Sequence, residues 1–442
     1  MLCISRKDEK MKVLWLCNLI IPMVSDALGI EGPSVGGWMQ GAAEKLINNK
    51  NCQLIFVFPQ NKKKETIIGR TNLFDYVGFY QNSLNFEKYD SKLEQVFRKI
   101  DNDFKPDLIH IWGTEFPHSL AMVNAVTDRN KIIISIQGLC HVIAEHYVTG
   151  IPLKVFHRTF RDIIRKDSLL EQKEKFRIRG FNEIESLLKV NNVIGRTNWD
   201  KICTYQINSS LNYYKCNELL RDVFYDKAGQ WMSDNCEKHS IFVSQADYPI
   251  KGFHIFLKAM SILKKEYPDL RVYVTGNDPR KIPRYRISSY HKWIVDLIKE
   301  YDLDSNICYL GKLSAEEMCE RYLKSEIFVS PSTIENSSNS IGEAMMLGMP
   351  IIASYVGGTM DILKDKVDGY LYPVDAFYML AGYISDFFTN KEREKKFGKN
   401  AFIHAIKTHD RDKNNEKLIE IYKTILERGN YENSTYCSER NI

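Results

Sequence analysis

A chain of 442 residues can hold two or three domains with complete cores, and 44% hydrophobic with 26% charged residues is ordinary globular composition. The formal net charge of +5 is slight for this length and makes no case for a nucleic-acid partner. Ten cysteines stand singly with no Cys-x-x-Cys pair, which argues against a disulfide framework or a zinc site and suits reduced thiols in a cytoplasmic protein. The N-terminal stretch to Met23 superficially resembles a signal peptide, but Lys12 and Asn18 interrupt it. Val13–Cys17 instead predicts a first strand after a loose tail. No apolar run approaches the roughly 20 residues needed to span a bilayer.

A long loop then leads to Gly36-Gly37-Trp38 and a helix from Met39 to Ile47. Strand, glycine turn and helix make the phosphate-facing arrangement of a doubly wound domain, or simply a tight turn. It is not the Gly-x-Gly-x-x-Gly fingerprint of a dinucleotide site. Gln53–Phe58 predicts a strand and Tyr89–Ile100 a helix. Asp101-Asn102-Asp103 spells a metal-binding Asp-x-Asp, yet it follows a helix where the metal motif would follow a strand, so a polar turn is expected and no metal site is assigned.

The strand Asp107–Trp112 contains His110, expected to be a satisfied core histidine. It delivers Glu115 and His118 to its carboxyl end, where open α/β sheets place ligands. Both could hydrogen-bond an acceptor or cap the following helix. Lys131–Ile136 is a strand ending in Gln137-Gly138. His141 and His146 lack the spacing of a metal pair.

From Leu153 to Gly180 the chain is locally basic, and Leu153, Phe156, Phe160 and Ile163 recur at helical spacing. This predicts an amphipathic cationic helix, either a solvated face or an attachment to anionic lipid headgroups. Val193–Thr197 should be the last strand of the first half. Its Arg196 could face the crevice or pair with a carboxylate. A boundary falls between Tyr225 and Lys238, giving expected domains at 1–230 and 231–430 and a polar, frayed tail at 431–442.

The second half repeats the alternation: Ile241–Gln245, a helix Phe253–Lys265, Leu270–Thr275, a helix around Trp293–Lys299, Ile307–Leu310 and a helix Ala315–Leu323. The stretch Ile327–Asp361 then reads as strand, polar loop, short helix, strand and glycine-rich turn. Ser340-Ile341-Gly342-Glu343 matches a Ser-x-x-Glu capping box, so a helix is expected to begin there and stop at Gly348. Its N-terminus, around Ser338, Asn339, Ser340 and Ile341, would aim unpaired N–H groups at the crevice and form an anion site. Two carboxylates flank it, Glu335 and Glu343. A strand at Gly369–Pro373 and two helices complete the half. Two Rossmann-like doubly wound domains around a cleft, an α/β fold, is the architecture this alternation predicts.

Glu335-x7-Glu343, followed by EAMMLGMPIIAS and Gly357-Gly358, resembles the signature of retaining glycosyltransferases of the GT-B class, family 4. The resemblance implies a hexosyl transfer of the EC 2.4 type from a nucleotide-sugar, with a UDP-sugar as the expected donor and no other cofactor or metal. By resemblance Glu335 meets the donor sugar, Glu343 the ribose, Lys312-Leu313 the nucleobase and Gly36-Gly37 the diphosphate. The family's diphosphate-gripping pair falls on Lys251 and on Gln245, which replaces the usual arginine. Gln137 replaces a histidine common near the reacting sugar. The acceptor, a glycan or lipid-linked molecule, would lie at Glu115, His118 and Arg196, and many relatives work at the cytoplasmic membrane face. The two glutamines leave open a catalytically silent, nucleotide-sugar-binding partner subunit.

Overall fold

The structure, a computed structural model, describes residues 10–30, 32, 37–49, 51–82 and 86–439. The first sheet contains β1 (Met11–Leu16), β2 (Cys52–Gln60), β3 (Ile67–Arg70), β4 (Phe74–Tyr80), β5 (Leu108–Trp112), β6 (Ile132–Ser135), β7 (Asn192–Gly195) and β8 (Asn212–Lys215). Its order is β3-β4-β2-β1-β5-β6-β7-β8, parallel throughout except for the antiparallel edge pair of β3 and β4. The second sheet contains β9 (Glu237–Val243), β10 (Arg271–Val274), β11 (Ile307–Tyr309), β12 (Ser325–Ser330), β13 (Ile351–Ser354) and β14 (Tyr370–Tyr372). Its order is β11-β10-β9-β12-β13-β14, all parallel.

The central strands are short apolar runs such as Leu108–Trp112 and Ile351–Ser354, buried along their whole length as strands covered by helices on both faces must be. In each sheet the order reverses beside the founding strand, between β1 and β5 and between β9 and β12. The carboxyl ends splay there and open a crevice. The expected pair of doubly wound α/β domains is therefore observed.

Two arms cross between the sheets. Tyr147, Ile151, Val155 and Leu169 leave the first sheet and pack into the core of the second with Phe253 and Phe256. Asp162 accepts the Ser289 N–H at 3.0 Å, and the Thr159 hydroxyl donates to the Ile287 carbonyl at 2.8 Å. In return, Leu418, Ile421, Tyr422 and Ile425 of the last helix, Arg411–Glu439, pack into the core of the first sheet. The Tyr422 hydroxyl lies 2.6 Å from His110 Nδ1, and Ser135 Oγ lies 2.7 Å from Nε2, so His110 is the satisfied core histidine expected.

Several expectations are corrected. The strand Val193–Thr197 is not the last of its sheet, because β8 adds to it; Asn212–Lys215 is a half-exposed edge without a full apolar run. The basic stretch is not one helix. Thr159 and Ser168 each close a capping box, with Asp162 and Glu171, and so start separate helices at Phe160 and Leu169. Asp101–Asp103 lies in the last turn of the helix Lys92–Phe104, with Asp101 held by Lys131 at 2.6 Å. The backbone past Asn430 is helical to Glu439, where a frayed tail was expected. Among the described residues no helix is long and apolar enough to cross a membrane.

Candidate functional site

At the crevice of the second sheet, the chain leaving β9 forms a short 3-10 turn, Pro249–Lys251, closed by Gly252 at φ +66°. A Cβ on Gly252 would stand 1.8 Å from the Pro331 carbonyl oxygen, so glycine is what lets this turn lie against the loop that leaves β12. Thr333 N–H donates to the Ile250 carbonyl at 2.7 Å and locks the two segments together. That packing delivers Lys251 Nζ to 2.8 Å from Glu335 Oε2, with side chains 25% and 18% exposed. Ser332 Oγ donates to the same oxygen at 3.3 Å. From the other side Gly357, at φ +51°, packs where a Cβ would come within 2.0 Å of the Glu335 carbonyl oxygen. The Gly358 N–H donates to that oxygen at 3.0 Å.

The helix beyond this loop spans Asn339–Leu347 and ends at Gly348, φ +83°, as expected. Its start is not the expected capping box. Ser338 is the N-cap, without a side-chain hydrogen bond, and Ser340 already lies inside the helix. Glu343 does not reach back to the helix end, because Arg221 donates to both its oxygens, at 2.7 and 2.8 Å. Burial raises the Glu343 carboxyl pKa, and Arg221 opposes that shift by hydrogen bonding and charge. Among the described residues no acceptor meets the N–H groups of Asn339 or Ser340, so the helix end keeps its anion-binding character.

In the first sheet the reversal brings Asn18, after β1, against Glu115, after β5. Glu115 accepts from Asn18 Nδ2 and from the Gly138 N–H, each at 3.1 Å, and so ties three strand ends together. Desolvation pushes its carboxyl up to about 7. His118, expected at the acceptor, is engaged by protein partners on both ring nitrogens. It is fully buried, 3.0 Å from both Gln81 Oε1 and Asn18 Oδ1, and burial lowers its pKa to about 3. Arg196 takes the structural alternative. It is 6% exposed and paired with Glu218 at 2.6 Å. Gln137 Nε2 donates to the other Glu218 oxygen at 2.5 Å. Gly36 lies outside the described residues, and Gly37 opens the helix Gly37–Asn48, whose Trp38 packs edge-on against Trp112.

The two halves meet at Asn336, the neighbour of Glu335. Its Nδ2 donates to the Gln137 carbonyl at 3.3 Å, and its Oδ1 accepts from Thr197 Oγ1 at 2.8 Å. Lys251 and Gln245 share a cavity of about 640 Å³, walled on the opposite side by Phe116, Phe176 and Arg179. Lys312 is exposed and Leu313 half-buried after β11; neither lines that cavity. Arg179, Glu218, Arg221 and Asn336 were not singled out in the sequence. Each acts on a residue at least 64 positions away, and nothing local marks such pairs.

Residues 229–404, under half of the chain, match the family described as Glycosyl transferases group 1. Among curated proteins, an uncharacterized glycosyltransferase of Methanocaldococcus jannaschii is 27% identical over 31% of this chain and 32% of its own length. The spore coat protein SA of Bacillus subtilis is 23% identical over 39% and 46%. The chain thus spans less than half of the length of either relative. Among solved structures, sucrose-phosphate synthase from Thermosynechococcus elongatus superposes with a TM-score of 0.69 at 15% identity, covering 95% of this chain and 100% of that one. HepE of Anabaena, in complex with UDP and glucose, gives 0.62 at 14% identity, covering 93% and 99%. The chain therefore has the GT-B fold, and within its second half residues 229–404 resemble the Glycosyl transferases group 1 family.

Proposed function

We propose that this protein is a retaining, family 4 glycosyltransferase that moves a hexosyl group from a UDP-sugar to an acceptor hydroxyl, in bacterial cell-surface polysaccharide or glycoconjugate synthesis. Residues 1–230 receive the acceptor and 231–430 the donor. The observation that carries the reading is the Lys251–Glu335 pair, 2.8 Å apart at the β9/β12 reversal beside an open helix N-terminus. The HepE structures, which share the fold, hold UDP, UDP and glucose, or UDP-glucose, and this supports the choice of donor.

Donor binding exchanges partners at that pair. The diphosphate draws Lys251 away from Glu335, and the freed carboxylate accepts hydroxyls of the sugar. Negative charge grows on the departing diphosphate as the glycosidic bond lengthens. A fixed ammonium and the N–H groups of Asn339 and Ser340 stabilise it more in the transition state than in the ground state. Gln245 adds an amide where a second cation would stand, so Lys251 carries more of this task. The acceptor attacks from the face of the leaving group and gives its proton to the departing phosphate, which retains configuration and needs no protein nucleophile and no metal. Glu343 can take the ribose while held by Arg221, since each carboxylate oxygen has a further lone pair.

Attachment to the anionic inner face of the membrane is part of the proposal. Leu153, Phe160, Ile163 and Ile164 are 57–79% exposed among the exposed side chains of Lys154, Arg158, Arg165 and Lys166. Hydrolysis and transfer across UDP-, GDP- and ADP-sugars tests the chemistry, with Glu335→Gln and Lys251→Ala beside the wild type. Release of one nucleotide diphosphate, lost in both variants, is expected. Tight donor binding with no turnover, even with lipid-linked acceptors added, would instead favour the silent subunit.

A further inference from the structure

The cavity that Lys251 shares with the first domain contains a cation that forms no ion pair among the described residues. Arg179 is 8% exposed, and its guanidinium lies 4.4, 5.2 and 5.5 Å from the ring centroids of Phe176, Phe116 and Phe86. Its Nε donates to the Glu115 carbonyl, and no ion pair forms with it among the described residues. Glu115, whose carboxyl the charge of Arg179 pulls down against desolvation, is committed elsewhere, to Asn18 and the Gly138 N–H, and Glu183 is committed to Thr114 and His141. The other cations on the cavity wall are paired, Arg161 with Asp167 at 2.6 Å and Lys251 with Glu335 at 2.8 Å. Asp247 is the one wall carboxylate outside these pairs, and desolvation raises its pKa, which weakens it as a counter-charge. A buried guanidinium is costly unless it is paired, and the aromatic faces offset only part of that cost.

The cavity also leads somewhere. A second one, of about 820 Å³, shares Arg161, Ser288 and His291 with it and is walled by Phe160, Ile164 and Tyr285, which are 64–66% exposed. The path from Lys251 thus runs past a cation in an aromatic wall to an apolar, basic lip.

We infer that this cavity is an acceptor subsite for a phosphate-bearing amphiphile. The phosphate pairs bidentately with Arg179, and the adjoining apolar body packs on Phe86, Phe116 and Phe176. The subsite rests on the proposed transfer reaction for its role, and it names the class of acceptor. The same phosphate chemistry could come from a lipid carrier or from a soluble phosphorylated molecule, and the length of the apolar part separates the two.

Calorimetric titration of the UDP-saturated protein tests it, with dodecyl phosphate below its micellar concentration, phenyl phosphate and dodecyl maltoside as probes. Saturation with UDP keeps the probes from the donor diphosphate position. Wild type is expected to bind both phosphates and not the neutral maltoside. Arg179→Met should weaken phosphate binding at least tenfold with UDP affinity unchanged, and Arg179→Lys should fall between. Tighter binding of dodecyl than phenyl phosphate assigns a lipid carrier; equal binding assigns a soluble acceptor. Phe176→Ala, at a half-buried position, guards against a misfolded Arg179 variant and should weaken dodecyl phosphate binding. Unchanged dodecyl phosphate affinity in either Arg179→Met or Phe176→Ala, or equal affinity for dodecyl maltoside, overturns the subsite. Failure of the wild type to bind UDP would count against the donor site instead, and the same variants compared without UDP would still decide this cavity.

Discussion

Arg221→Met removes the only cation on the buried Glu343 carboxylate among the described residues. Glu343 is 4% exposed and takes both its ion-pair hydrogen bonds, at 2.7 and 2.8 Å, from Arg221. Removing one side of such a pair costs about 3–5 kcal/mol, because the remaining charge stays buried. For a domain of roughly 200 residues each kcal/mol moves the melting point by about 2–4 °C, so a fall on the order of 10 °C is expected for the second domain. The pH dependence has a definite sign. A carboxyl whose folded pKa is raised favours the folded state at low pH and loses that advantage as pH rises through its folded pKa. Burial already raises Glu343 and Arg221 opposes it, so without Arg221 the pKa climbs further. The gap between variant and wild type should therefore be wider at pH 8 than at pH 5. Replacing both partners, Arg221→Met with Glu343→Leu, should recover most of the loss, since an apolar pair leaves no stranded charge. Calorimetry and urea unfolding at the two pH values measure all three. A loss below about 1 kcal/mol, or one equal at both pH values, would refute the burial argument.

Lys251→Ala should lower kcat for donor turnover about 10²- to 10³-fold, the scale for losing one preorganised charge contact, and should weaken UDP binding. On the proposed reading Glu335 meets the sugar and not the nucleotide, so Glu335→Gln should lower kcat with UDP affinity kept; stopped-assay kinetics with UDP titrations separate the two. Gly252→Ala places a Cβ 1.8 Å from the Pro331 carbonyl oxygen at a φ of +66°, so it should cost more than the roughly 1 kcal/mol of a left-handed residue alone, and activity should fall further than the melting point suggests. Four buried histidines are held neutral by desolvation, His110 and His118 at about 3, His254 and His409 at about 4. Their contribution is complete above an unfolded pKa near 6.5 and is lost as pH falls, by about 1.4 kcal/mol per unit for each. The urea midpoint should thus drop steeply from pH 6.5 to 5, and a flat profile would contradict the assignment.

The fold was legible because its signal is local and repeated. Apolar runs of β1, β5, β9, β12 and β13 alternate with helices of clear period, and Gly348 stops its helix as its position says. What escaped was decided by partners distant in the chain. Ser340 and Glu343 have the spacing of a capping box, and the box fails because Arg221 offers Glu343 a stronger, charge-assisted partner than a backbone N–H. His118 and Arg196 stand at strand ends, where ligands bind, yet Asn18, Gln81 and Glu218 claim them first. Sequence position tells which side chains reach the crevice, and long-range pairing tells which are free once there.

The same distinction orders the site. Around the cleft most charged groups are spent on holding it: Arg196 with Glu218, Arg221 with Glu343, Arg161 with Asp167. Two cations are not spent in this way. Lys251 is paired with Glu335 where both remain part-exposed and the loop glycines fix both backbones, which is what the proposed exchange for a diphosphate and a sugar requires of a chain that does not move. Arg179 is held by aromatic faces and one backbone carbonyl, which fix its plane, and no ion pair forms with it among the described residues. On the proposed reading such a cleft offers an anion two positions, one on each wall, and the transfer of a sugar between two phosphate-bearing molecules would use both.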